Sequence, residues 1–268
     1  MKYKFENKTV VLTGASSGIG RQLATLLVTK YSCRVYAIAR REALLLELRD
    51  ELGEGIIPCP FDATSKSEWE RLAKRLDGDG VIVDALINCA GALPKFSSVE
   101  NSTSAQALEA MKINFDAQLY ATEALLPSIK KSTQGAVISF SSSSALCPFA
   151  GVSAYCASKS ASRAYFECFA RENKQIYVAS IMNGFVKTDI MRAQAPSERD
   201  MRLISKVSAD PRKTALKILK KLRRRRARVI VGADAHLMNF SYKLFPNMGP
   251  KIISKILKRS GLEIFKSI

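Results

Sequence analysis

At 268 residues, 47% hydrophobic and 25% charged, the chain can bury a sizeable core as one large domain or two small ones and falls outside the disordered and fibrous classes. No stretch approaches the roughly 18 consecutive apolar residues of a membrane span, the opening MKYKFENKTVVLTG lacks an apolar signal core, and six scattered cysteines show no CxxC or metal-ligand spacing, so reduced thiols and no metal are expected. The net charge of +18 is local: residues 205–268 carry 17 Lys/Arg against three acids, whereas residues 1–204 carry 25 against 21.

Residues 8–13, KTVVLT, form a β-branched run that predicts a strand. It opens into Gly14-Ala-Ser-Ser-Gly18-Ile-Gly20, and RQLATLLVTKY then takes up helical periodicity. Strand, glycine loop and helix in that order point to dinucleotide binding. The glycines let backbone approach a phosphate, and the helix N-terminus offers N–H groups and positive dipole. The second strand, CRVYAIA at 33–39, ends with Ala39 where an acid would bind a ribose 2′-OH, and Arg40 follows. An Arg there accommodates a 2′-phosphate, so NADP(H) is expected over NAD(H).

Strand and helix patterns continue to alternate: GIIPCPF, SEWERLAKRL, VDALINCAG, a helical stretch from about 104 to 131, then GAVISFS. This cadence predicts an α/β, doubly wound parallel sheet with helices on both faces. The next helix holds Tyr155 and Lys159, four residues apart and therefore on one helical face. A nearby ammonium favours phenolate, so Tyr155 is expected to titrate below its usual value and to serve in proton transfer near neutral pH. The serine run Ser141–Ser144 lies about a dozen residues upstream, and by residue type each of the four is a candidate to assist.

Residues 189–209, after the strand QIYVASIMNG, are expected to form a mobile lid over the substrate. Asp210-Pro211 reads as an N-cap with Pro at the first helical position, opening an amphipathic helix with Ala215, Ile218, Leu219 and Leu222 on its apolar face. Its basic face reads as a solvated one, since no nucleic-acid fold signature accompanies the charge. VIVG at 229–232 is the expected last strand. The division expected is a core of 1–234 and a basic amphipathic extension of 235–268. In the latter Ile252, Ile253, Ile256 and Leu257 form an apolar stripe beside Lys251, Lys255, Lys258 and Arg259. Such a stripe suits an anionic membrane surface, a wall of the substrate cleft or a subunit contact. Lone His236 reads as a surface or packing residue.

Taken together, these motifs resemble the short-chain dehydrogenase/reductase family, its shorter single-domain branch, over nearly the whole chain. TGASSGIG at 13–20 is similar to the family's cofactor loop, which implies cofactor contacts from Gly14, Ser16, Ser17, Gly18, Ile19 and Gly20. Asp62-Ala63 resembles the adenine-contacting pair, and Asn88-Cys89-Ala90-Gly91 the motif usually written NNAG. NGFVKTD at 183–189 resembles the segment that contacts the nicotinamide through Gly184, Val186 and Thr188. The resemblance implies a Rossmann-type fold, with Ser142, 13 residues before Tyr155, hydrogen-bonding the substrate oxygen and Tyr155 carrying its proton. It implies that Lys159 lowers the Tyr155 pKa and holds the nicotinamide ribose, and that Asn114 keeps a water in a proton relay behind Lys159. Cys89 for Asn and Asn183 for Pro depart from the pattern, and the second leaves its turn less rigid. The implied protein is a homodimer or homotetramer acting on a small carbonyl or alcohol, more readily a lipophilic one. It is expected to be cytoplasmic, with peripheral attachment to a membrane the alternative placement. The alternative function is a dinucleotide-binding scaffold or redox sensor at a membrane surface, with vestigial catalysis.

Overall fold

In the computed structural model, which describes residues 2–192, 194, 197–261 and 263, the chain folds as an α/β protein around a seven-stranded parallel sheet of order β3-β2-β1-β4-β5-β6-β7. The strands are β1 (Thr9–Thr13), β2 (Arg34–Ala39), β3 (Ile56–Pro60), β4 (Ala85–Asn88), β5 (Ala136–Phe140), β6 (Tyr177–Asn183) and β7 (Arg228–Val231). The helices between them are α1 (Gly18–Tyr31), α2 (Glu42–Leu52), α3 (Lys66–Gly78), α4 (Ser104–Met111), α5 (Ala117–Lys131) and α6 (Ser153–Glu172). After β6 come α7 (Asp189–Arg192), α8 (Glu198–Val207) and α9 (Pro211–Leu222), and after β7 come α10 (Ala233–Leu244) and α11 (Gly249–Arg259). Among the described residues no helix is long and apolar enough to cross a membrane.

Strand period sorts the core into two layers. Val10 and Leu12 face α1, α2 and α9, packing with Leu23, Leu27, Leu45 and Ile218. Val11, between them, faces α3, α5 and α6 with Trp69, Leu125 and Phe166. A strand buried on both faces must be apolar throughout, which is why these runs read as continuous rather than alternating.

The helical stretch expected from 104 to 131 is continuous but not uniform. Between α4 and α5, residues Lys112–Asp116 take π-helical geometry with Asn114 in the middle, the kind of local widening that tends to sit at functional sites. Asp210 caps α9 as its residue type predicts, accepting from the Lys213 amide at 2.8 Å, with Pro211 following. The lid segment is partly helical, in α7 and α8, and a bridge between Val186 and Ala209 closes its base.

Candidate active site

All seven strands run the same way, so their C-terminal ends and the loops that follow meet on one edge. At the switch point between β1 and β4 this edge opens into a cavity of about 990 Å³. Its floor is the turn from β1 into α1. Gly14 has φ +71°, and a Cβ on Gly20 would fall 2.1 Å from the Gly14 carbonyl oxygen. Only glycine lets α1 begin this close to the loop, leaving its N-terminal amides facing the cavity. The expected contacts Gly14, Ser16, Ser17, Gly18, Ile19, Gly20, Arg40, Asp62, Ala63, Ala90, Gly91, Gly184, Val186 and Thr188 all line it.

Asn88 does not. It is buried at the end of β4, off the cavity wall, and its side-chain amide has no hydrogen-bond partner in the structure. Asn114 is also behind the wall. Its carboxamide clamps the Ala92 backbone, accepting from the amide at 3.0 Å and donating to the carbonyl at 2.8 Å. Its main-chain carbonyl accepts from Gln118 Nε2 at 2.7 Å and Ser162 Oγ at 2.8 Å. Asn114 thus shapes the Gly91–Ala92 wall.

Ser142, Tyr155 and Lys159 converge on the cavity. Ser142 caps a short 3₁₀ turn, accepting the Ser144 amide at 3.1 Å. That occupies an acceptor site and leaves its hydroxyl proton to donate. Ser141 is spoken for, donating to the Lys159 carbonyl at 2.7 Å. Lys159 is buried, donates from Nζ to the Phe140 carbonyl at 2.9 Å, and lies 5.8 Å from the centre of the Tyr155 ring. Burial pushes its pKa down to about 8. The expectation for Tyr155 has the wrong sign: burial pushes it up to about 12, only partly offset by the hydrogen bond with Ser142. Desolvation of the phenolate is the largest cause, and the neighbouring Cys156 adds to it.

The depressed Lys159 pKa has a thermodynamic consequence. Between about pH 8 and the usual lysine range the unfolded chain binds more protons than the folded one. Stability attributable to Lys159 therefore rises with pH across that window and is flat below it. Denaturant unfolding of wild type and Lys159→Met should show the difference moving in favour of wild type above pH 8; a pH-independent difference would refute a depressed lysine.

Three residues joined the site without a sequence signal that selects them. Arg41 donates to Ser16 Oγ at 3.1 Å and Ser17 Oγ at 2.8 Å and pairs with Asp189 at 3.5 Å, whereas Arg40 is mostly exposed and 4.0 Å from Asp62. Asp234 accepts from the Phe185 amide at 2.7 Å, with its carboxylate lying where a Cβ on Gly184 would be. The turn expected to be loose for want of a Pro is thus tied from outside, and Asn183 Nδ2 adds a bond to the Gly184 carbonyl at 2.9 Å. Gln194, buried, ties two residues of the cavity lining, accepting from the Phe96 amide at 3.3 Å and donating to the Leu93 carbonyl at 3.0 Å. The glycine loop and a Ser–Tyr–Lys cluster share this one cavity, and a profile of the family described as short chain dehydrogenase matches residues 8–199.

The chain belongs to the short-chain dehydrogenase family. A member of this family is an NAD(P)-dependent oxidoreductase acting on CH–OH groups. Over 199 residues this short-chain dehydrogenase is 33% identical to 11-beta-hydroxysteroid dehydrogenase-like 2 of Arabidopsis thaliana, covering 71% of the chain and 64% of that relative. It is 28% identical to dehydrogenase/reductase SDR family member 7B of Danio rerio, across 96% of the chain and 88% of the relative. A short chain dehydrogenase from Burkholderia cenocepacia, solved in complex with NADP, superposes with a TM-score of 0.79 at 23% identity, covering 95% of this chain and 99% of that one. At that identity the likeness speaks for the fold.

Proposed function

We propose that this short-chain dehydrogenase interconverts a lipophilic ketone or aldehyde and its alcohol with NADP(H), using Ser142, Tyr155 and Lys159. The observation that carries the reading is their convergence in a single cavity with the glycine loop and the Arg40–Arg41 pair. The dinucleotide supplies or accepts the hydride when bound. Gly14–Gly20 would hold its pyrophosphate against the N-terminus of α1, and Asp62 and Ala63 border the adenine end. Ser142 donates to the substrate oxygen. Tyr155, kept as a phenol at neutral pH, passes its proton to that same oxygen in reduction and recovers one in oxidation. Lys159, fixed by the Phe140 carbonyl, orients the ribose and lends positive charge as the phenolate forms. Leu93, Phe96, Phe149, Phe185 and Met191 give the substrate end its apolar walls, which supports a lipophilic substrate. Exposed Leu108 and Tyr165, on the packed helices α4 and α6, support a homo-oligomer. A panel of carbonyls and alcohols followed by NADPH absorbance tests the reading; no turnover of any apolar member would reject it.

NADPH should bind at least tenfold tighter than NADH, about 1.4 kcal/mol. Arg40→Ala should lose most of that margin, and Arg40→Ala/Arg41→Ala should abolish it, since the two guanidiniums border the ribose end beside Ser16. Titration by nucleotide fluorescence reads both. Equal affinities in wild type would rule out the preference, and an unchanged ratio in the double variant would rule out its source.

A further inference from the structure

Helices α10 and α11 pack against each other as a hairpin, and the apolar stripe of α11 divides between two jobs. Ile253 turns inward with Met238 onto Cys147, Phe149, Val152 and Cys156. Leu257, partly buried, packs against the clusters around Ile253 and around Met191 and Ile204, which Leu93, Phe96 and Phe185 of the cavity lining also join. Among the described residues no side chain of α11 lines the cavity itself, so the inner half of the stripe packs behind its wall. Ile252 and Ile256 face outward, 42% and 52% exposed, and Met248 continues their i, i+4 row at 59%. On α10, Phe240, Leu244 and Phe245 are each more than half exposed. Six large apolar side chains on two packed helices are more than scattered surface hydrophobes explain.

The charge around them selects the occupant. Residues 235–262 contain Lys243, Lys251, Lys255, Lys258 and Arg259 and no acid. Lys251, Lys255 and Lys258, with Ser153 and Ser254, line a shallow cleft of about 710 Å³ alongside the outward isoleucines. A second copy of the chain meeting this face about a two-fold axis would set these lysines against their own counterparts. An anionic lipid surface meets both features, taking the apolar rows below the headgroups and the lysines among the phosphates. We infer that the outer face of the α10–α11 hairpin is a docking surface for an anionic lipid bilayer. This goes beyond the proposed reaction and is independent of it. Its consequence for that reaction is that Ile253 and Leu257, which pack behind the cavity wall, lie on the reverse side of the docked helix.

Co-sedimentation with phosphatidylcholine vesicles, with and without phosphatidylserine, tests it. Wild type should sediment with the anionic vesicles at low salt, much less with neutral ones, and progressively less as salt screens the lysines. Lys251→Gln/Lys255→Gln/Lys258→Gln should weaken partitioning by about fivefold per lysine, on the order of a hundredfold together. Ile252→Ser/Ile256→Ser should lose binding even at low salt, with melting temperature and nucleotide affinity unchanged because both side chains lie outside the core. Equal sedimentation with both vesicle types, none with either, or wild-type binding by the lysine variant would each overturn the inference. So would a dimer in sedimentation velocity that the Ile→Ser pair dissolves, which would give the face to a second copy.

Discussion

Replacing Tyr155 by Phe should lower turnover by about 10²–10⁴-fold while leaving nucleotide affinity within a few-fold. The change removes one oxygen and keeps the ring, so packing against Phe149 and Val152 survives. What disappears is the group placed to give a proton to the substrate oxygen, hydrogen-bonded to Ser142 and set over Lys159. Initial rates with saturating NADPH, together with nucleotide titration of both proteins, make the measurement. Retention of a tenth of wild-type turnover would take the proton from some other group. A parallel loss of nucleotide affinity would instead assign Tyr155 a binding role.

The second large effect is on stability. Trp69→Ala should cost about 3–5 kcal/mol, the range for emptying a fully buried large aromatic site. In a chain of this size that lowers the melting temperature by roughly 6–20 °C. Trp69 is completely buried on α3, edge-on to Phe61 with ring centres 5.0 Å apart, in the layer that holds Val11, Leu86 and Phe166. Its indole N–H donates to the Ala63 carbonyl at 2.8 Å, tying the core to a segment that lines the cavity. Trp69→Phe should cost less, keeping most of the volume while stranding that carbonyl. Thermal unfolding followed by circular dichroism separates the two; a drop under about 3 °C for the Ala variant would mean that the site collapses around the gap.

The parallel sheet was legible because its strands are apolar on both faces and its helices announce themselves by period and cap. Asp210-Pro211 illustrates this, since residue type alone implies its geometry. The glycine loop and the Tyr155–Lys159 pair stood out because each is a pattern among residues a few positions apart, whereas Ser142 was singled out by the family resemblance. What needed coordinates was anything set by distant parts of the chain. Asp234 reaches a turn 49 residues back, and Gln194 reaches a loop about a hundred residues back. The sign of the Tyr155 shift turned on burial, which an i, i+4 pair does not reveal. On α11, adjacent residues point about 100° apart, so Ile252 and Ile253 took opposite sides of a stripe that looks uniform in one dimension.

The strand order also bears on how the molecule assembles. Read across the sheet, β3-β2-β1 and β4-β5-β6-β7 are each runs of sequential neighbours, and a single ladder joins them. That ladder is short, pairing Val10 with Ala85, Val11 with Leu86 and Leu12 with Ile87. Each run can build from nearer partners, whereas the joint must wait for loop closure across some 75 residues. The cavity straddles this seam, with Gly14–Gly20 on one side and Ala90, Gly91 and Tyr155 on the other. A dinucleotide seated there would touch both runs at once and act as a clasp on the joint between them. By mass action alone, at a hundred times its dissociation constant, it would add about 2.7 kcal/mol to the joined state.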